Sequence, residues 1–185
     1  MTILEYIVLS IALGISSLVV IRDCAEKKRI RLSRGLLVAL VVAIVQTVML
    51  ELGILIGNLL RFDMPDYDNL IFLGVFLLVA IRMLAKVFRR NKETPAFDIS
   101  HWGTIFALAV AVGINVLLIG IGVGFRVLFE TDLWRSSIPM LVVLFVFCYW
   151  AIMLGRQKVD IRPKRWCALS VLMLLVLAVS GAFFS

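Results

Sequence analysis

A few polar side chains stand inside long apolar runs, and any chemistry this chain performs must start from them. Asn115 is the lone amide of Ala109–Phe125, a run that is otherwise apolar. Gln46, Thr47, Glu51 and Asn58 lie in Gly35–Leu60, and Ser10, Ser16 and Ser17 in Ile3–Ile21. A carboxylate at mid-membrane depth costs about 2.5–3.5 kcal/mol on insertion scales. Glu51 must therefore be paired, protonated or in contact with a passing cation. Amides and hydroxyls offer neutral oxygen donors, which a hard divalent cation accepts. The same groups also serve as hydrogen-bond glue between helices. Ser and Thr often bond back to their own backbone, which is the plainer expectation for Ser10, Ser16, Ser17 and Thr47. Asn115 and Gln46 stay open between ligand and glue.

Helical geometry orders the second run. At about 100° per residue, Gln46, Gly53 and Gly57 fall within about 40° of one another. Gly53 and Gly57 form a G-x-x-x-G pair that admits a second helix closely. Gln46 then points into that interface. Thr47, Glu51 and Asn58 make a separate stripe, with Glu51 about 140° from Gln46. Glycines at 113, 120, 122 and 124 leave a similar bare surface around Asn115. The Gly120-x-Gly-x-Gly124 run has no preceding strand, so it reads as helix packing and not as a phosphate loop.

These residues need elements to hold them, and composition says which. The chain has 185 residues, is 63% hydrophobic and has a mean hydropathy of +1.09. A soluble domain of that length has too much surface to hide so much apolar side chain. The expected class is an all-α integral membrane protein with the lipid bilayer as its solvent. Spans are expected at Ile3–Ile21, Gly35–Leu60, Leu70–Val87, Gly103–Phe125, Ile138–Leu154 and Trp166–Phe184, each close to the roughly 20 residues a bilayer requires. Trp102, Trp134, Trp150 and Trp166 suit interfacial anchors. No cleaved leader is expected, because the first span carries Glu5 and no basic flank before it.

Charge decides the topology. The net charge is +7, and all but Arg61, Arg126 and Arg135 of the 19 Lys and Arg residues fall in or beside the first, third and fifth loops. By the positive-inside rule those loops are cytoplasmic and both termini lie outside. The same clustering argues against nucleic acid as the partner. Three spans (1–88), a cytoplasmic linker (89–101) and three more (102–185) then run in opposite senses, the architecture of inverted-repeat transporters with a mid-membrane site. The short likeness of Ala12-Leu13-Gly14-Ile15-Ser16 to Ala111-Val112-Gly113-Ile114-Asn115 agrees with that arrangement. Cys24, Cys148 and Cys167 have no metal or disulfide spacing, and His101 sits alone at a span start. No nucleophile–base pair or paired acids can be assembled, so an enzyme is not expected.

Several segments carry a family resemblance. Leu13-Gly14-Ile15-Ser16-Ser17-Leu18 is similar to an F-G-M-S-M-D segment. Val45-Gln46-Thr47, followed by Gly53 and Gly57, resembles V-E-T with glycines at the same offsets. Asn115-Val-Leu-Leu-Ile-Gly-Ile-Gly-Val-Gly-Phe125 is similar to D-A-M-A-V-G-V-G-L-A-F, and Met153-Leu154-Gly155-Arg156 to M-I-G-R. These are segments of the MntP-type manganese efflux pumps, six-span proteins of the lysine-exporter superfamily. The resemblance implies a six-helix transporter that exports manganese as cargo, with no resident cofactor. Leu18, Gln46 and Asn115 stand where that family has acids. Leu18 cannot ligate, while Gln46 and Asn115 keep a carbonyl oxygen without its charge. The implied cation contacts are Asn115, Gln46, Ser17 and Thr47, with Glu51 supplying charge or carrying a proton. Two other readings stay open: an exporter of a small polar organic solute such as an amino acid, and a non-transporting membrane protein that has lost its site. Homo-oligomer formation is also open.

Overall fold

The computed structural model describes residues 3–27, 32–61, 68–89, 102–125, 129–157 and 163–184. They form six α-helices: α1 (Ile3–Lys27), α2 (Leu32–Arg61), α3 (Asp68–Arg89), α4 (Trp102–Gly124), α5 (Phe129–Arg156) and α6 (Pro163–Phe184). No strand occurs among the described residues. Most of these helices run past the apolar runs expected from the sequence. The first loop, expected over Arg22–Arg34, is mostly helix, with 28–31 outside the described residues. A helix satisfies its own backbone, so nothing obliges it to stop where the bilayer does. Pro163 opens α6, where its missing N–H is no loss. Helix α5 starts well before Ile138 and continues through Pro139, although that residue cannot donate to the preceding turn. The bulk of the 89–101 linker and the tips of the remaining loops also lie outside the described residues.

Four helices contain stretches long and apolar enough to cross a membrane: Glu5–Asp23, Ser33–Arg61, Trp102–Gly124 and Ser137–Arg156. Two more hold shorter apolar stretches, Leu70–Ala85 and Arg165–Val179. The surface agrees with that solvent. Leu36, Leu40, Ile44, Val48, Leu52, Leu55 and Leu59 form an exposed stripe along the whole of α2. Ile138, Val142, Val146 and Trp150 do the same on α5. Continuous apolar stripes of this length belong against lipid, not water. The chain is a multi-pass membrane protein.

Packing is strongly non-local. Helix α2 packs most extensively on α4, and α1 on α5, with lesser seams between α2 and α5, α3 and α6, α1 and α6, and α3 and α4. Between α2 and α4 the backbones nearly touch. A Cβ placed on Gly53 would lie 2.8 Å from the Cα of Gly120, and one on Gly57 would lie 2.9 Å from the Cα of Gly124. Both helices advance together along this seam, so they run parallel. The expected G-x-x-x-G approach is therefore present, and its partner is a matching pair on α4.

Two apolar clusters fill the interior. One joins the N-terminal parts of α1 and α5 to the C-terminal parts of α2, α4 and α6 and to α3, with Tyr6, Phe72 and Phe76 as its largest buried rings. The other joins the C-terminal parts of α1 and α5 to the N-terminal parts of α2 and α4, through Leu18, Ile21, Val42, Leu108, Val112 and Cys148. The bundle thus has an N-terminal end and a basic end, the latter carrying Arg34, Arg156 and Arg165 together with Trp102, Trp150 and Trp166. Trp150 and Trp166 meet edge to face there, with ring centroids 6.5 Å apart.

Candidate functional site

The two apolar clusters meet through Val42 and Ala43 on α2 and through Phe145 of α5, and they part elsewhere: on α1 the first ends at Leu13 and the second begins at Leu18, and on α4 the second ends at Val112 and the first resumes at Val116. Polar side chains stand where they part. Ser17, Gln46 and Asn115 stand at this level, each buried, and Gln46 is fully so. Gly14 and Gly113 flank the level, and each lets a large side chain lie flat against the helix: Phe147 over Gly14 and Met49 over Gly113.

The hydrogen bonds at this level leave one acceptor over. Ser17 donates its hydroxyl proton to the Leu13 carbonyl at 2.9 Å, the local bond expected of a membrane serine. Its oxygen can then only accept, and Gln46 donates to it through Nε2 at 2.9 Å. That donation turns the other end of the amide outward from the bond, and Gln46 Oε1 is buried with no hydrogen-bond partner. An unsatisfied buried acceptor costs about 1–3 kcal/mol unless a donor or cation meets it. The Asn115 side chain is 7% exposed, and no hydrogen bond joins it to another described residue. On α4 it lies on the side opposite Gly113 and Gly120, which face α2, and on the side of Gly122, which faces Val75 and Phe76 of α3. Neutral carbonyl oxygens of this kind, held out of water, suit a desolvated, oxygen-seeking solute.

Other sequence candidates go elsewhere. Thr47 donates to its own helix at the Ala43 carbonyl (2.9 Å), and Asn58 does the same at Ile54 (3.1 Å). Ser10 likewise bonds the Tyr6 carbonyl at 2.7 Å. Glu51 leaves the polar level for the N-terminal end, where it accepts a hydrogen bond from Ser137 of α5. Leu18 is completely buried in the basic-end cluster, among apolar side chains. Among the described residues no three of His, Cys, Asp or Glu gather as a metal-holding group. Two polar contacts had no signal in the sequence beyond the presence of a serine. One is Ser137 on Glu51. The other is Ser170 of α6, which donates to the Ala12 carbonyl of α1 at 2.6 Å and ties the last helix to the first.

The comparisons with known proteins decide the family. A family model described as "Mntp: Putative manganese efflux pump" matches residues 29–180. The chain belongs to this family. The match takes in Gln46, Glu51 and Asn115 and leaves out α1, with Ser17 and Leu18. A curated relative, "Putative manganese efflux pump MntP" of Crocosphaera subtropica (strain ATCC 51142 / BH68), is 25% identical over 138 residues, which is 75% of this chain and 72% of that protein. No solved structure matches the chain. The family expected from the span-one, span-two, span-four and span-five segments is therefore the one found.

Proposed function

We propose that this chain exports manganese(II) from the cytoplasm, with the polar level of Ser17, Gln46 and Asn115 as its central site. The carrying observation is the buried, unpartnered Gln46 Oε1 beside Ser17, where the apolar clusters part on α1, in a chain of the manganese-efflux family. Manganese(II) is hard and takes oxygen ligands. Asn115 would supply a second carbonyl oxygen and Ser17 a third donor, each losing little because neither amide oxygen has a bond to give up. Thr47, one residue from Gln46, would join only if its hydroxyl turned from the Ala43 carbonyl. A neutral ligand set holds a divalent ion less tightly than carboxylates do, and weak holding favours release. Glu51 supplies the carboxylate charge in the membrane interior, at a different level, on the exit side of the site. The ion is cargo, and the activity in this reading is transport, as the family's description has it.

The topology that goes with this reading has all six helices crossing the cytoplasmic membrane, the basic end inside and both termini outside. In support, α3 and α6 are each 22 residues long, enough for about 30 Å of hydrocarbon. Inverted three-helix repeats are supported by the packing: exchanging α1 with α4, α2 with α5 and α3 with α6 maps each principal seam onto another seam or onto itself. Gly14 on α1 and Gly113 on α4 are equivalent under that exchange, and they receive Phe147 of α5 and Met49 of α2, on the exchanged helices.

The test is manganese content. Cells lacking their own exporter should accumulate less manganese and tolerate more of it when they express this chain than with an empty vector. Equal content and equal tolerance would overturn the proposal. Vesicles offered amino acids in place of metals separate it from an organic-solute exporter.

A further inference from the structure

The geometry points to two moving bodies that are not the two sequence halves, one built on α2–α4 and the other on α1–α5, with Glu51 and Ser137 as the latch that closes them at the N-terminal end. This rests on the transporter reading above and names two of its working residues.

The seams differ in kind. Along α2–α4, four glycines press backbone on backbone, so no rotamer change can let one helix slide or tilt on the other. That pair moves as one piece. Its two members come from different halves of the chain, so a rocking of residues 1–88 against 102–185 would have to tear open the tightest seam in the molecule. Helices α1 and α5 pack extensively too, and Ser170 fastens α6 to α1. Helix α3 leans on α4 and on α6. Within the α1–α5 pair the Phe147 ring is wedged against Gly14, whereas between the two pairs α5 meets α2 at Gly35 through the Ile152 side chain. Side-chain seams can shear.

Polar contacts cross the boundary between the bodies. Gln46 to Ser17 lies at the polar level, and Ser137 to Glu51 lies beyond it toward the N-terminal end. A path from the polar level to that end along the α2–α5 seam parts the two helices where Ser137 meets Glu51. A hydroxyl on a carboxylate is a strong bond in low dielectric, and it breaks when a competing group takes the carboxylate oxygen. Glu51 therefore acts as a positioning residue that holds the exit shut until cargo reaches it.

The experiment uses the full chain with Cys24, Cys148 and Cys167 replaced by serine, in native membranes. Asn115→Cys serves as reporter, labelled by a membrane-impermeant maleimide added outside. Glu51→Ala and, separately, Ser137→Ala should each raise labelling about tenfold, the factor expected for one lost charge-assisted bond. Asn58→Ala, at the same end but bonded to its own helix, should leave it unchanged. Paired cysteines complete the test: a cross-link between Val45→Cys and Gly113→Cys, where the added side chain meets the Met49 and Val45 side chains, should leave export equal in the oxidised and the reduced protein. Unchanged labelling in both alanine variants, or export stopped by the α2–α4 cross-link, overturns the inference. If labelling rises as expected but the parent moves no manganese, the latch stands and the manganese reading falls.

Discussion

Adding one methyl to the α2–α4 seam should unseat the bundle, and Gly57→Ala is the sharpest case. A Cβ at Gly57 would lie 2.9 Å from the Gly124 Cα and 3.1 Å from the Ile121 carbonyl carbon. Ordinary carbon–carbon contact is about 3.5–4.0 Å, so the helices must part by roughly an ångström near this point. A gap of that size forfeits about a quarter to a half of each contact it opens. Inserted methylenes in packed cores cost about 1–3 kcal/mol, and the upper value applies because the obstructing atoms are backbone and cannot turn aside. That is a loss of roughly a hundredfold in the ratio of folded to unfolded protein. Gly53→Ala should cost the same alone but less in combination, since a seam already parted has less to lose. Gly74→Ala and Gly103→Ala are the controls: an added methyl there meets nothing within 4 Å. They should be neutral or gain up to about 1 kcal/mol from helix propensity. The assay is unfolding in mixed detergent micelles with rising dodecyl sulfate, followed by circular dichroism. If Gly57→Ala and Gly74→Ala unfold at the same detergent fraction, the backbone-to-backbone seam does not exist.

Asn115→Asp should raise manganese export, and Asn115→Leu should abolish it, read as cellular manganese content. A charge restored among neutral oxygens strengthens the hold on a divalent ion, and a leucine removes the oxygen. Gln46→Leu should lose export with little change in stability, because losing the bond to Ser17 is offset by removing a buried acceptor that is already unsatisfied; a marked fall in thermal stability would show that the amide is structural glue. Ser170→Ala should cost about 1 kcal/mol by freeing the Ala12 carbonyl, with export at the polar level unaffected. Asn91→Cys should react with a permeant thiol reagent and not with an impermeant one added outside, while Asp66→Cys should react with both.

Much of the architecture was readable because lipid imposes a rule with few solutions. Every backbone group must be satisfied inside the membrane, so long apolar runs become helices whatever surrounds them. Gly53 and Gly57 announced a close partner because two glycines four residues apart bare one strip of helix backbone, and the stripe geometry correctly kept Glu51 off that face. The helix ends were poorly legible, since α1, α2 and α5 continue beyond their apolar stretches without cost. The partner of Glu51 was not legible at all. Ser137 is 86 residues away, and a serine beside Pro139 carries no local sign of what it bonds.

By itself, then, the order of residues determined the class, the helices, the family and which oxygen-bearing side chains stand inside the apolar runs. Those follow from local properties: hydropathy, charge placement and spacing along a helix. Only the tertiary structure decided who meets whom. It sent Gln46 to Ser17 and left a carbonyl oxygen unspent, turned Asn115 away from α2, carried Glu51 to α5, and locked α2 to α4 across the middle of the chain. Helices in lipid choose partners by shape and by single hydrogen bonds, and such matches depend on surfaces that no one segment contains.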